Sequence, residues 1–116
     1  MRLLTASMSR AKGNIAEQKA CEFLYENGFS ILEQNFYSRF GEIDIIVTKN
    51  SVLHFVEVKS GDDYELAIQN ITRSKLAKLL KTGDVYMKKN GYEGDYEYDA
   101  LIVTPDEVLH VENITI

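Results

Sequence analysis

The sequence predicts an α/β protein, a mixed central β-sheet flanked by helices in the order αβββ(α)αββ. Three observations carry that expectation. Residues 41–60, GEIDIIVTKNSVLHFVEVKS, read as two apolar strands joined by a short polar turn, and such strands belong in a sheet covered on both faces. One helical pattern precedes this pair and another follows it, so each face has a candidate cover. Two more strand-like runs close the chain, and neither a repeat nor a linker divides it. A single domain spanning 1–116 with one core is expected at this length.

The first helix is expected over residues 12–27, with Gly28 as its C-terminal cap. At about 100° per residue, Ala16, Ala20, Phe23 and Leu24 gather on one face, opposite Gln18, Lys19, Glu22 and Glu26. Glu17 breaks the pattern, because it falls on the apolar side beside Cys21 and Leu24. A carboxylate facing a core needs a partner or a metal, unless its stem carries it to solvent. Phe29 to Tyr37 alternates loosely and forms the first strand, with a turn over Ser38 to Gly41. In the second strand Ile43, Ile45 and Val47 alternate with Glu42, Asp44 and Ile46, and after Lys49-Asn50-Ser51 the third runs from Val52 to Lys59.

Ser60-Gly61-Asp62-Asp63 has turn chemistry. Tyr64 to Ile71 is less regular, a short helix or a loop. The next helix opens at Thr72, a suitable N-cap, and extends to about Lys89. Leu76, Leu79, Leu80, Gly83 and Met87 make its apolar stripe, with Lys78, Lys81, Lys88 and Lys89 opposite. Glycine costs ~1 kcal/mol against alanine inside a helix, so Gly83 on the stripe points to close packing against the sheet. After a loop over Asn90 to Asp95, strands are expected over Tyr96 to Val103 and Val108 to Ile114, with Pro105 in the turn between them.

Composition excludes several classes. The apolar share of 45% and charged share of 27% are those of a soluble globular chain. No apolar run approaches the ~20 residues of a membrane span. The opening MRLLTASMSRAKG holds only a brief apolar patch, short of the ~7–15 residues of a secretory signal. Cys21 is the only cysteine, so no intrachain disulfide forms and a cytoplasmic location is expected. A net charge of −5 is unlike a general nucleic-acid binder. Even so, Arg73 to Lys89 carries six basic residues against the single acid Asp84.

The charged residues inside the apolar strands carry the chemistry. Glu57 and Lys59 are two apart and project the same way from their strand, next to the strand of Asp44. Two carboxylates and an amine fit a Mg²⁺-type site, where one or two carboxylates hold the ion and a lysine meets a water or a phosphate. They fit a structural salt bridge equally well. His54 points away from Glu57 and Lys59 by alternation and reads as a packed histidine. His110, on the last strand, has no metal-ligand spacing around it. Tyr96 and Tyr98 share a strand face and read as sheet packing. Glycine-rich phosphate loops, nucleophile elbows and zinc-ligand clusters are absent.

GEIDII followed by FVEVK resembles the acid–(acid)-x-Lys signature of the restriction-endonuclease-like, PD-(D/E)XK nucleases. More closely the chain resembles the YraN family of small bacterial proteins, itself similar to archaeal Holliday-junction resolvases. The agreement runs through Lys12-Gly13, Ala16-Glu17, Gly28-Phe29, GEIDII, FVEVK, Tyr98-Asp99 and HVEN, nearly the whole chain. The resemblance implies a restriction-endonuclease-like core and a metal-dependent endonuclease acting on DNA, including branched or irregular DNA, that leaves a 5′-phosphate and a 3′-hydroxyl. Asp44, Glu57 and the Val58 carbonyl would hold Mg²⁺ or Mn²⁺. Lys59 would position water or shield the phosphate, and Glu17 would be a third acid. No small-molecule cofactor is implied. Resolving a two-fold symmetric junction would call for a homodimer.

Two departures bear on DNA binding. Ser60-Gly61 stands where an arginine is common in the family, so a phosphate contact would be either missing or supplied by Arg39 or Lys75, with Lys78 a further nucleic-acid-binding candidate. Glu97 stands where a basic residue is more usual. Asp99 matches the family and is expected to anchor a neighbouring loop or lysine. The competing expectation is a non-catalytic nucleic-acid or protein binding module that keeps the fold.

Overall fold

A computed structural model describes residues 4–115 of the backbone, with side chains described from Ile15 to Thr115. The elements are α1 (Leu4–Glu26), β1 (Ser30–Ser38), β2 (Gly41–Lys49), β3 (Val52–Ser60), α2 (Tyr64–Gln69), α3 (Arg73–Asn90), β4 (Asp95–Val103) and β5 (Val108–Val111). Their order is the predicted one. The five strands lie in sequence order across one sheet. Neighbouring strands run antiparallel except β3 and β4, which are parallel and joined through α2 and α3. The sheet is mixed and flanked by helices.

Local chemistry explains the boundaries. α1 ends in a Schellman arrangement. Gly28 takes φ +86°, its N–H reaches the Tyr25 carbonyl, and the Phe29 N–H reaches that of Leu24 at 2.9 Å. The helix starts eight residues before the predicted position, through LTASMSRA, which contains good helix formers. Lys12 and Gly13, part of the family resemblance, have side chains outside the described residues. Asn50 and Ser51 both take left-handed φ, 52° and 67°, the turn that suits the twist of a two-residue hairpin. Asp63 caps α2, which settles Tyr64 to Gln69 as helix. Thr72 caps α3 by accepting the Lys75 N–H at 3.2 Å. β5 stops at Val111, three residues short of the predicted end, because Asn113 turns left-handed at φ 56°.

Each sheet face has its own cover. On one, Ala20 and Leu24 of α1 pack with Phe29, Ile45, Val47, Val56 and Leu101. On the other, Leu79, Tyr86 and Met87 of α3 pack with Phe36, Ile43, Ile46, Phe55 and Tyr98. α2 adds Ala67 over Ala100 and Ile102. Burying a large apolar side chain stabilises by roughly 1.5–3 kcal/mol, and these two layers hold the sheet. Gly83 packs as its position on the stripe predicts: a Cβ there would overlap the Tyr98 hydroxyl, which donates to the Leu80 carbonyl at 3.2 Å. The Leu80 side chain itself is exposed, and Thr82 and Tyr86 take the buried positions beside Gly83. The stripe is rotated toward Thr82 because Tyr98 occupies the groove at Gly83.

One departure from strand alternation positions everything that follows. Ile43 and Ile45, two apart, should share a face, but Ile43 belongs to the α3 layer and Ile45 to the α1 layer. The residue between them is Asp44. Across on β1, Asn35 takes φ 53°, a conformation asparagine tolerates better than most residues. Gln34 pairs with Ile45 and Phe36 with Ile43, so Asn35 and Asp44 face each other across an interrupted ladder.

Candidate active site

β2 and β3 pair from Lys49↔Val52 to Ile45↔Val56 and then separate. Where the ladder stops, the Asp44 side chain takes the place of a backbone acceptor: its Oδ2 receives the Val58 N–H at 2.8 Å. The N–H and C=O of one strand residue point to the same neighbour, so the Val58 carbonyl faces this gap too. The fork is an open cleft of about 370 Å³. Asp44, Glu57 and Lys59 line it from the sheet, Glu17 from α1, and Lys75 and Lys78 from α3.

The electrostatics are those of crowded acids. Lys59 Nζ lies 3.6 Å from Glu57 Oε2, the one ion pair among the described residues that line the cleft, which also holds the carboxylates of Glu17 and Asp44. Burial pushes the Asp44 carboxyl up. A shared proton with Glu57 and the charge of that neighbour raise it further, and the Val58 N–H only partly offsets them; the result is about 9. Without a cation, the Asp44–Glu57 pair therefore keeps a proton at neutral pH. All the converging donors are oxygens, the set preferred by Mg²⁺ and accepted by Mn²⁺. A divalent cation here would replace the proton and relieve the repulsion, so the residues present fit such an ion.

Glu17 is held in place from β1. Asn35 Nδ2 donates to Glu17 Oε1 at 3.2 Å and to Glu42 Oε2 at 2.9 Å. Asn35 and Glu42 were not among the predicted site residues. Glu42 sits two residues from Asp44 and was legible as an acid on the same strand. Asn35 becomes recognisable only through its left-handed backbone, which no sequence pattern announces.

The predicted basic residues divide. Lys75 and Lys78 reach the cleft, so Lys78 does not lie opposite the apolar stripe as expected, and Lys81 Nζ lies 5.5 Å from the centroid of the Phe40 ring in the β1–β2 turn. Arg39 is not among the lining residues. Its guanidinium lies over the Phe40 ring, 4.8 Å from the centroid, because the two-residue turn between β1 and β2 points it outward.

The remaining polar residues of the sheet gather elsewhere. His54, expected to be packed, is buried and bonded to Asp99, and His110 bonds the same carboxylate. Asp99 also receives the Asn113 N–H at 2.9 Å, anchoring the segment after β5 as predicted for it. Among the described residues no helix is long and apolar enough to cross a membrane.

Comparison with known proteins places this geometry in context. The family model described as uncharacterised protein family UPF0102 matches residues 16–103, from the helix that bears Glu17 to the end of β4. A UPF0102 protein of Sulfurimonas denitrificans is 68% identical over 109 residues, 94% of this chain and all of that one. One from Aliarcobacter butzleri is 50% identical over 93% of this chain and 99% of its own. One from Helicobacter pylori strain HPAG1 is 51% identical over 91% and 92%.

Proposed function

The chain belongs to the UPF0102 family, the YraN family of uncharacterised bacterial proteins, and we propose that it is a metal-dependent endonuclease hydrolysing DNA phosphodiester bonds. One observation carries this reading: the β2–β3 fork gathers Asp44, Glu57 and Lys59 under Glu17 in a single open cleft. The element order and the mixed sheet agree with a restriction-endonuclease-like core, and the acid–acid-x-Lys string occupies neighbouring strands, as that core requires.

Asp44, Glu57 and the Val58 carbonyl would hold Mg²⁺ or Mn²⁺. When bound, the ion supplies Lewis acidity toward a phosphate oxygen and makes water acidic enough to serve as nucleophile near neutral pH. Lys59 orients that water or neutralises charge growing on the phosphate. Glu17, fixed by Asn35, holds water on the helix side of the cleft. Lys75 and Lys78 contact flanking phosphates. Branched or otherwise irregular DNA is the preferred substrate, since an open cleft where β2 and β3 separate admits a distorted backbone.

The deciding experiment is cleavage of labelled duplex, single-stranded and four-way DNA with Mg²⁺ and with Mn²⁺. Cleavage that needs the metal and is lost in Glu57→Ala and Lys59→Ala supports the assignment. Folded wild-type protein that cuts none of these substrates with either ion contradicts it. The net charge of −5 and the missing arginine after Lys59 favour a second reading, a binding module without catalysis. Its signature is nucleic-acid or protein binding that neither metal nor Asp44→Asn changes.

A further inference from the structure

Toward the hairpin end of the sheet, on the α1 face alone, lies a cluster that the fork does not use. The parallel register of β3 and β4 sets His54 beside Glu97, with Asp99 two residues further along the same face. On β5, His110 pairs with Leu101 and so faces the same way. His54 Nδ1 lies 2.7 Å and His110 Nε2 2.9 Å from one oxygen, Asp99 Oδ2. Glu97 Oε2 stands 3.5 Å from His54 Nδ1, is buried, and has no hydrogen-bond partner.

We propose that His54, Glu97 and Asp99, with His110 as fourth donor, form a second cation site for zinc or a similar first-row transition ion. Ligand atoms of the first three lie within 4.8 Å of one another. A tetrahedral ion at about 2.0–2.2 Å from its ligands keeps them roughly 3.3–3.6 Å apart. The His54–Glu97 spacing already meets this, and the two hydrogen bonds to Asp99 open by well under 1 Å to admit the ion. The orphaned Glu97 oxygen is the strongest pointer. A buried carboxylate oxygen without a donor is costly, and here it lies beside a second buried carboxylate.

The donor set defines the ligand class. Two imidazoles and two carboxylates suit zinc, cobalt or nickel, whereas magnesium prefers oxygen donors alone. The Phe29 ring packs edge-on against both His54 and His110, at 5.1 and 5.7 Å between centroids, which covers the two imidazoles on one side. A cavity of about 400 Å³ lined by Lys49, Glu97, His110 and Glu112 leads in from solvent. With four protein donors the shell is closed, so the ion ties β3, β4 and β5 together and takes no part in hydrolysis at the fork. The two sites are independent.

The test is calorimetric titration of chelator-treated protein with Zn²⁺, in wild type, in Asp44→Asn/Glu57→Gln, and in Glu97→Gln. The fork variant is expected to retain one equivalent of Zn²⁺, and Glu97→Gln to weaken that equivalent by about 10-fold or more. Co²⁺ added to the fork variant should give the visible absorption of a four-coordinate ion. Glu97→Gln preserves size, and circular dichroism verifies its fold; His110→Gln provides an independent second ligand change. Zn²⁺ binding that disappears in the fork variant, that is unchanged by Glu97→Gln and His110→Gln, or that is absent from folded wild type overturns the proposal. A closed His–Asp–His hydrogen-bond network is then the full account of the cluster.

Discussion

Asp44 shows how one residue sets the chemistry of the fork. Its carboxyl is held up near 9 by burial and by Glu57, so between about pH 4 and pH 9 the folded chain carries a proton that the unfolded chain has released. The stability tied to that proton is complete below the ordinary carboxylate range and is lost as pH rises through the folded value. Metal-free Asp44→Asn should therefore melt above wild type at pH 8, by about 1–3 kcal/mol, and match it near pH 4. The asparagine oxygen still accepts the Val58 N–H, so only the titrating proton is removed. Added Mn²⁺ should raise the melting temperature of wild type at pH 8 and raise that of the variant less. Scanning calorimetry with and without Mn²⁺ at the two pH values checks this.

Gly83 gives a purely structural counterpart. Gly83→Ala has to displace the Tyr98 ring from the α3 groove, an overpacking that costs about 1–3 kcal/mol despite the gain in helix propensity. Urea unfolding of Gly83→Ala beside Gly83→Ala/Tyr98→Phe tests the cause. Removing the Tyr98 hydroxyl should restore part of the loss, since a Cβ at Gly83 would meet that atom first.

At the level of elements, β1 and β2 matter more for their irregularities than for their pairing. Asn35 combines a left-handed backbone with two side-chain bonds, to Glu17 and Glu42. Asn35→Gly keeps the backbone conformation and loses the bonds; Asn35→Ala loses both. The alanine variant should be less stable than the glycine variant by about 1 kcal/mol, while both weaken Mn²⁺ binding alike. Chemical denaturation and metal titration on the pair separate the two roles.

Elements were legible where local chemistry decides them. Gly28, the Asn50-Ser51 turn, the Thr72 cap and Gly83 each do what their side chains require, so the order of helices and strands followed from sequence. Period-two alternation placed Glu57 and Lys59 together correctly. It failed at Ile43, because a strand that bends at Asp44 moves its next side chain to the other layer. Alternation also turned His54 away from Glu57, as observed, yet gave no view of the His54–Glu97–Asp99 cluster. That cluster depends on the parallel register of β3 with β4, set by a crossover of more than thirty residues. Long-range register leaves no local mark.

Across the whole molecule, the charge distribution limits how strongly the proposed endonuclease would bind DNA. A chain of net charge −5 has little general attraction for the duplex, and of the residues proposed to bind nucleic acid only Lys75 and Lys78 line the cleft. Affinity should be modest and should fall gently with salt, with a log–log slope of about −2 for two phosphate contacts. Lys75→Ala and Lys78→Ala should each reduce that slope by about 1 without changing which substrate is preferred. Fluorescence anisotropy at several salt concentrations, with Ca²⁺ in place of Mg²⁺ or Mn²⁺, measures both quantities. Under the proposed endonuclease reading, an acidic body with a small basic lip would also keep regular duplex from competing with irregular backbones for the fork.

The fork is where helix, strand pair and basic lip converge, and its acids are the centre of the account. The most direct test is Mn²⁺ titration of wild type and Asp44→Asn, followed by the electron paramagnetic resonance of free Mn²⁺. Wild type should take up one ion at the fork, and Asp44→Asn should bind it at least about 10-fold more weakly. Equal affinity in the two proteins would mean that Asp44 and Glu57 hold no metal and that Lys59 is only their salt-bridge partner.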